Sequence, residues 1–419
     1  MKICIMGLGY IGLPTAAMFA SHGVSVIGVD TNPEIVETVC QGQIHIEEPG
    51  LAQVVGSCVE KGTLKAQVEP AGADVFIIAV PTPYCQNEEH SCDLHYVMEA
   101  VHRIVPYLEK GNTVIVESTI APRSTEDFIK PVLEEAGFTI GTDLYLAHCP
   151  ERVLPGQILR EIKENNRIIG GITPACARKA AEVYRVFVEG EIICTEAGTA
   201  EMCKCMENTF RDVNIALANE LEKICNAFKI NCLDVIRLAN KHPRVNIHQP
   251  GPGVGGHCLA IDPYFICAKA PGEAKLIRQS MEINESMPGY VAEKVKMLVK
   301  NVRDPKIALL GLAYKGNVDD VRESPALKVL QLLTEEGFCV TVYDPHVKKD
   351  SCSSLKEAAE QADLAVVLTD HNEFRSLPQK EMADCMRHPM IFDTRNIVKQ
   401  EDGSGLTVIH YGNLYKFEP

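Results

Sequence analysis

The chain has no excess of basic charge. Its 419 residues carry 41 Lys and Arg against 56 Asp and Glu, a formal net charge of -15. Nucleic acid and anionic membrane both need a basic footprint, so neither is expected as the main partner, although a local basic pocket for a small anion stays open. No cysteine pair follows the CxxC spacing, despite 17 cysteines spread along the whole length. A secreted disulfide framework is shorter and more regular, so reduced thiols in a cytoplasmic protein are the expectation. HxxxH spacing is missing too. The two His-Cys dipeptides, His148-Cys149 and His257-Cys258, place side by side residues that seldom serve one ion together, and no metal site is expected. There is no low-complexity segment and no apolar run long enough to span a bilayer. One stretch imitates a secretory leader: uncharged Ile3 to Ala20 behind Lys2. It is broken by Gly7, Gly9, Gly12 and Pro14, and no A-x-A cleavage site follows.

The length suits two or three domains, each large enough for its own core. KICIMG is a short buried-strand pattern running into GLGYIG. LPTAAMFASHG then reads as a helix ended by Gly23, and VSVIGVD as the next strand, which makes a βαβ unit. ADVFIIAVPTP, NTVIVEST and DLYLAHCPER are further strands ending in polar residues, so a parallel doubly wound sheet is expected to about residue 195. From Thr195 to about Phe228 the pattern is one long helix. Another helix follows Asn231, then a Gly-rich loop, then a helix through about Lys300. A second α/β unit starts near Pro305. In it Ser324 caps a helix with Pro325 at its first position, and FCVTVYDP is a strand ending in Asp344. The expected fold is α/β: two Rossmann-like doubly wound domains, residues 1–195 and 301–419, joined by a central helical domain, residues 196–300, with a long helix.

Gly7, Gly9 and Gly12 form GxGxxG directly after a strand and at the opening of a helix. Asp30 ends the following strand, at roughly the 20-residue offset such an acid takes. The glycines permit a tight turn and let a pyrophosphate approach the helix N-terminus, where N–H groups and the dipole favour anions. Asp30 would accept hydrogen bonds from ribose hydroxyls, and its charge disfavours a 2′-phosphate, so NAD is expected rather than NADP.

Two other places invite chemistry. Lys204 and Asn208 are spaced i, i+4 on the long helix, with Arg211 three residues on. Lys and Asn together can donate to one developing oxyanion; a solvated polar face explains the same spacing. Met202, Cys203, Met206 and Phe210 suggest that this helix is largely buried, and a Lys there needs a partner or a task. The second place is PGPGVGGHCLAIDPYF, where Cys258 is a metal ligand, an inert buried thiol or a nucleophile. Its glycines leave the sulfur approachable, and His257 and Asp262 supply nearby acid–base groups.

With these stretches assembled, the chain resembles the UDP-glucose/GDP-mannose dehydrogenase family over essentially its full length. GLGYIGLPTA, the VPTP turn, EST, PER, EMCKCMENTFRDVNIA, GPGVGGHC with Asp262, GLAYKGNVDDVRESP and DTRN occur in the family's order and spacing. PERVLPG, HPRVNIHQPGPGVGGHC and AIDP resemble the branch that oxidises UDP-N-acetyl-D-mannosamine. Ile261 stands where UDP-glucose members carry a Lys, which counts against that sugar. The UDP-N-acetyl-D-glucosamine branch shares GGHC and the DP dipeptide and is the alternative.

The resemblance implies a four-electron oxidation of a sugar C6 alcohol to a carboxylate with NAD as acceptor. A thiolate at Cys258 would hold the intermediate aldehyde as a thiohemiacetal and then a thioester. It further implies that Lys204 stabilises the alkoxide and shuttles a proton, helped by Asn208. Asp262 and Glu151 would order water and assist proton transfer, Glu151 in thioester hydrolysis. NAD contacts are expected from Tyr10, Ile11, Asp30, Thr82 and Thr119 besides the glycines. Substrate contacts are expected from Arg152, Val153, Lys204, Asn208, Arg211, His242, Arg244, Gly255, Tyr314, Lys315, Arg322 and Arg395, several of them cationic as a diphosphate requires. Arg244 is expected to reach the neighbouring subunit's site in a homodimer or higher oligomer built on the long helix. His257 receives no role. Two other readings are a single two-electron oxidation, which leaves Cys258 and the second α/β domain unexplained, and a non-catalytic nucleotide binder, which leaves Cys258, Lys204 and Asn208 unexplained.

Overall fold

The structure, a computed structural model, describes residues 1–419 except Glu88, Pro155, Asp350 and Pro419. Pro155, within PERVLPG, therefore lies outside the described residues. The chain forms two compact units, Met1–Glu207 with Tyr264–Pro271 and Asn208–Pro263 with Gly272–Pro419. Residues 196–300 contribute to both. Past Glu196, which ends a strand, they hold the helices Ala197–Ala227, Cys232–Ala239, Asp262–Lys269 and Lys275–Val299, and among the described residues no further strand.

The first unit is built on β1 (Lys2–Met6), β2 (Ser25–Val29), β3 (Leu64–Gln67), β4 (Val75–Ile78), β5 (Thr113–Val116), β6 (Tyr145–His148), β7 (Arg167–Gly171) and β8 (Ile192–Glu196). They form one sheet in the order β3-β2-β1-β4-β5-β6-β7-β8. The order reverses between β1 and β4, which makes their carboxyl ends the place for a ligand. Along β1 the side chains alternate. Ile3 and Ile5 pack with Leu13, Ala17 and Phe19 of the helix Gly12–Ser21, while Cys4 and Met6 pack with Val97 and Val101 on the other face. Each fully buried aliphatic or Phe side chain contributes about 1.5–3 kcal/mol, so the strand is held from both sides.

One pairing departs from the expected all-parallel sheet: β6 and β7 are antiparallel, with Ala147 opposite Gly171 and His148 opposite Gly170. A parallel return needs a crossover that traverses the sheet face. The link from β6 to β7 instead folds its short helix Ile158–Glu164 at the end where β6 stops, so the chain re-enters the sheet from that end. β8 then pairs parallel to β7.

The second unit carries β9 (Lys306–Leu310), β10 (Cys339–Tyr343), β11 (Leu364–Val367), β12 (Met390–Asp393) and β13 (Thr407–His410), in the order β10-β9-β11-β12-β13 and parallel throughout. Ser324 caps the helix Pro325–Glu335 as expected, its Oγ accepting from the Ala326 N–H at 3.3 Å. No helix among the described residues is long and apolar enough to cross a membrane.

The long helix corrects one expectation. Met202, Met206 and Phe210 are not inside; they are 39, 42 and 61% exposed, and Leu217, Ile224 and Phe228 continue the exposed set. Buried Cys205, Asn208, Thr209, Asp212 and Ala216 lie on another side, polar and apolar together. The exposed row has the composition of a core face, which is why the sequence reads as a buried helix.

Candidate active site

The Gly-rich corner of the first unit has the geometry its spacing demands. Gly7 has a φ of +93°, and a Cβ built on Gly12 would stand 1.9 Å from the Gly7 carbonyl oxygen. Helix and strand approach so closely that only hydrogen fits. A Cβ on Gly9 would meet nothing within 4 Å, leaving room above the turn. The helix Gly12–Ser21 has no side-chain cap at its N-terminus and no acidic residue in its first turn. Half-buried Asp30 accepts from the Leu8 N–H at 3.0 Å and the Asn32 N–H at 2.9 Å. Uncapped N–H groups, open space above a glycine and a fixed carboxylate fit the pyrophosphate and ribose of a dinucleotide. Tyr10 is exposed beside the turn and Ile11 is half-buried. Ser118 Oγ donates to the Val80 carbonyl at 2.7 Å, which ties the turn bearing Thr82 to the one bearing Thr119.

Glu151 is buried in the same unit. One carboxylate oxygen accepts from the Arg152 N–H at 2.8 Å and the other from Arg167 Nη2 at 2.6 Å. Arg167 Nη1 lies 3.5 Å from Glu117 Oε1 and 3.6 Å from Cys149 Sγ, and the guanidinium stacks 4.4 Å above the Tyr184 ring. Glu117 also receives the Tyr184 hydroxyl at 2.7 Å and the Thr15 hydroxyl at 3.3 Å. Burial pushes the Glu117 carboxyl upward against the pull of Arg167. Arg152 pairs with Glu207 at 2.8 Å and also donates to the Asn166 carbonyl, while Val153 packs against the sheet core. Lys204 is half-buried and has no ion-pair partner among the described residues. Burial, reinforced by its charge, pushes buried His148 down to about 3.

In the second unit, Asn208 Nδ2 donates to Asp262 Oδ2 at 2.6 Å, both residues being buried. An amide nitrogen carries two hydrogens, so this bond leaves Asn208 a second donor. Asp262 opens a helix, contrary to the expectation of loop through this stretch. The Cys258 carbonyl accepts from both the Ile261 N–H at 3.0 Å and the Asp262 N–H at 2.8 Å, a tight turn that holds half-buried Cys258 and Asp262 in a fixed relation. Ile261 is buried.

The loop before Cys258 is held by other substrate candidates. Gly256 N donates to the Arg322 carbonyl at 3.0 Å. A Cβ on Gly255 would come within 2.8 Å of Tyr314 Cβ and 2.6 Å of the Glu323 carbonyl, so the loop must lie flat on that segment. Burial, then the charges of Asp320 and Cys258, raises the Tyr314 hydroxyl, while Arg322 and Arg211 oppose the shift; these side chains share one electrostatic environment. Arg322 grips Asp320 through two nitrogens, at 2.9 and 2.6 Å. Burial alone would raise Asp320, but that grip holds it below its ordinary value. Arg395 pairs with Asp370 at 3.3 Å and lies against Gly251, 3.0 Å from where a Cβ would stand. Lys315 is exposed. So are His242 and Arg244, which sit on a loop closed by a double hydrogen bond between Asn240 and Ile247, at 2.9 and 2.7 Å.

Several supports escaped the sequence reading. A chain of buried bonds runs from Asp212 to Asn284 (2.8 Å), Asn219 (2.9 Å) and the Gly251 N–H (2.9 Å), pinning the Gly-rich loop to two helices. Glu201, pushed up to about 7 by burial despite its bonds, accepts from Thr125 at 2.8 and 2.6 Å and holds the segment after Thr119. Neither has a local pattern. Glu117 lay within the EST motif, but Arg167 had no signal of its own.

Comparison with known proteins matches three domains of the UDP-glucose/GDP-mannose dehydrogenase family: the NAD binding domain at residues 1–188, the central domain at 198–286 and the UDP binding domain at 308–400. The UDP-N-acetyl-D-mannosamine dehydrogenase of Methanococcus maripaludis strain C7 is 49% identical over 407 residues, which covers 95% of this chain and 93% of that one. The NDP-N-acetyl-D-galactosaminuronic acid dehydrogenase of Ralstonia nicotianae is 46% identical over 94% of this chain and 96% of its own. Among solved structures, the native UDP-N-acetyl-mannosamine dehydrogenase of Staphylococcus aureus is 54% identical, covers 100% of both chains and superposes with a TM-score of 0.92.

Proposed function

The chain belongs to the UDP-glucose/GDP-mannose dehydrogenase family, and on that premise we propose that it oxidises UDP-N-acetyl-D-mannosamine at C6 to UDP-N-acetyl-D-mannosaminuronate with NAD. The carrying observation is 49% identity over 95% of this chain to a protein of that name, and 54% identity to a solved structure of the same name over the full chain. Bound NAD supplies a hydride acceptor, twice per turnover. Gly7, Gly9, Gly12 and Asp30 hold it, with Tyr10, Ile11, Thr82 and Thr119 as further contacts.

The chain's own residues do the rest. Lys204 and the second Asn208 N–H stabilise the C6 alkoxide, and Lys204 carries its proton away. The Cys258 sulfur bonds the aldehyde carbon, so the aldehyde is kept for the second oxidation, which leaves a thioester. Glu151 takes a proton from water as the water oxygen attacks the thioester carbon, and the C–S bond breaks to release the carboxylate. Asp262 orders the amide of Asn208 and the water. Arg211, Tyr314, Lys315, Arg322, Arg395, Arg152, Val153, Gly255 and His242 bind the nucleotide sugar, with Arg244 reaching a neighbouring subunit. The exposed apolar row on the long helix supports a homodimer built there.

Comparing UDP-N-acetylmannosamine with UDP-N-acetylglucosamine tests the sugar. The Ralstonia relative's name adds an N-acetylgalactosamine nucleotide to the panel. The proposal expects the manno epimer to give the highest kcat/KM, with two NADH per sugar. One NADH per sugar, or full turnover by Cys258→Ala, would overturn the thioester route.

A further inference from the structure

The hydrolysis of a thioester needs a base that is both ionised and aimed. Glu151 is 8% exposed, and an ionised carboxylate at such a site costs several kcal/mol unless a counter-charge meets it. Arg167 is that counter-charge. It is itself buried, and it delivers Nη2 to Glu151 at 2.6 Å while Nη1 faces Glu117 at 3.5 Å. Its plane is fixed by the Tyr184 ring at 4.4 Å, and the Tyr184 hydroxyl donates to Glu117 at 2.7 Å. Glu117 reaches Thr15 on the dinucleotide-corner helix at 3.3 Å. Two carboxylates thus share one guanidinium inside a buried polar cluster, and the Arg152 N–H fixes the remaining oxygen of Glu151.

We infer that Arg167 is the positioning residue of the hydrolytic step: through Nη2 it fixes the Glu151 carboxylate that takes the water proton, while Glu117 shares the same guanidinium. The inference rests on the assignment of Glu151 as the hydrolysis base. In that step a water O–H proton passes to Glu151, the water oxygen bonds the thioester carbon, the C–S bond breaks and Cys258 leaves as thiolate. No electrons are exchanged, so no further reactant is required. Arg167 moves no proton; without it Glu151 loses the charged donor that fixes one of its two oxygens.

Rapid-mixing kinetics with UDP-N-acetylmannosamine and NAD, followed by intact-protein mass measurement, test this. Arg167→Met should release two NADH per subunit in the first turnover at close to the wild-type rate. Its steady-state rate should then be about a hundredfold lower, with the acyl sugar nucleotide trapped on the protein. Arg167→Lys, which restores charge without the fork, should recover part of that loss. A steady-state loss with no trapped adduct, or no loss at all, overturns the inference. Glu151→Gln is the control: if it traps no adduct, the assignment of Glu151 fails, and if it traps adduct while Arg167→Met does not, only the role of Arg167 fails. Should Arg167→Met not fold, Arg167→Lys decides: lacking the fork, it should still turn over more slowly than wild type with adduct trapped on the protein, and wild-type turnover with no adduct overturns the inference.

Discussion

The two Rossmann corners of this chain begin alike and end differently. Gly7 and Gly311 share a left-handed backbone, with φ of +93° and +98°, and each donates its N–H to the strand beside it, to Val29 at 2.7 Å and Tyr343 at 2.8 Å. Each following Leu N–H meets a strand-end aspartate, Leu8 to Asp30 at 3.0 Å and Leu312 to Asp344 at 2.6 Å. Then they diverge. After Gly7 the helix starts at Gly12 and its N-terminus is uncapped. After Gly311 the chain runs through Tyr314, Lys315 and Arg322 before a helix that Ser324 caps.

The acids differ accordingly. Asp344 also accepts from Ala313, His346 and Val347 N–H groups and from His371 Nε2 at 3.0 Å. His371 Nδ1 accepts the Asn317 N–H at 2.9 Å, so Nε2 carries the proton toward Asp344. With both ring nitrogens used, His371 has no lone pair left for a metal, although it stands in a cluster with His346 and Glu373. The first corner keeps its acid half-buried and half-used; the second fills the same place with its own histidine. A repeated fold thus does not repeat a ligand mode: the inserted segment decides it.

The largest test of that contrast is steric. Gly12→Val should destabilise the first unit by about 3 kcal/mol and abolish NAD binding, whereas Gly9→Ala should leave the thermal midpoint nearly unchanged and still weaken NAD. Melting curves and NAD titration separate the two outcomes; a Gly12→Val protein of wild-type stability would refute the close-packed corner.

Next come the acids. Asp344→Ala should cost about 3–5 kcal/mol by stranding buried donors. Asp30→Ala should cost about 1 kcal/mol while weakening NAD roughly tenfold or more. Equal stability losses would erase the distinction between a structural and a ligand-facing aspartate.

The pH dependence follows from Asp344. Burial alone would raise it, but His371 and the backbone donors hold it well below the usual carboxylate range. The unfolded chain therefore binds the proton first as pH falls. The contribution is complete above the unfolded value of about 3.9 and is lost as pH drops from there through the lower folded value. Denaturant unfolding should show the gap between wild type and Asp344→Asn constant near neutrality and shrinking below about pH 4. A gap that widens on acidification contradicts this sign.

The smallest effect belongs to the cap. Ser324→Ala should cost about 1 kcal/mol and should not confer NAD binding on the second corner, because His371 still fills it. Dinucleotide binding gained through that change would mean that the cap, not the histidine, closes the site.

Much of this was legible in the chain itself. GxGxxG before Asp30, Ser324-Pro325 at a helix start and the strand ending in Asp344 are local patterns that backbone geometry and capping enforce. Other features were misread or unseen for a common reason. The exposed row of Met202, Met206 and Phe210 has the composition of a core face, and periodicity cannot say which side has a partner. The antiparallel entry of β7 depends on where the helix Ile158–Glu164 settles, which its sequence does not encode alone. Asn219, Asn284 and Arg167 have ordinary surroundings in sequence and acquire meaning only from partners far along the chain.

What the sequence by itself determined is the set of local constraints: two βαβ corners, a long helix, a Gly-rich turn around Cys258 and the reactive residue types. What only the tertiary structure decided is which polar groups became buried together. Glu117, Glu151 and Arg167, like Asp344 and His371, come from separate strands and loops, and their charges and proton positions follow from desolvation and mutual distance, which exist only once the sheet has assembled.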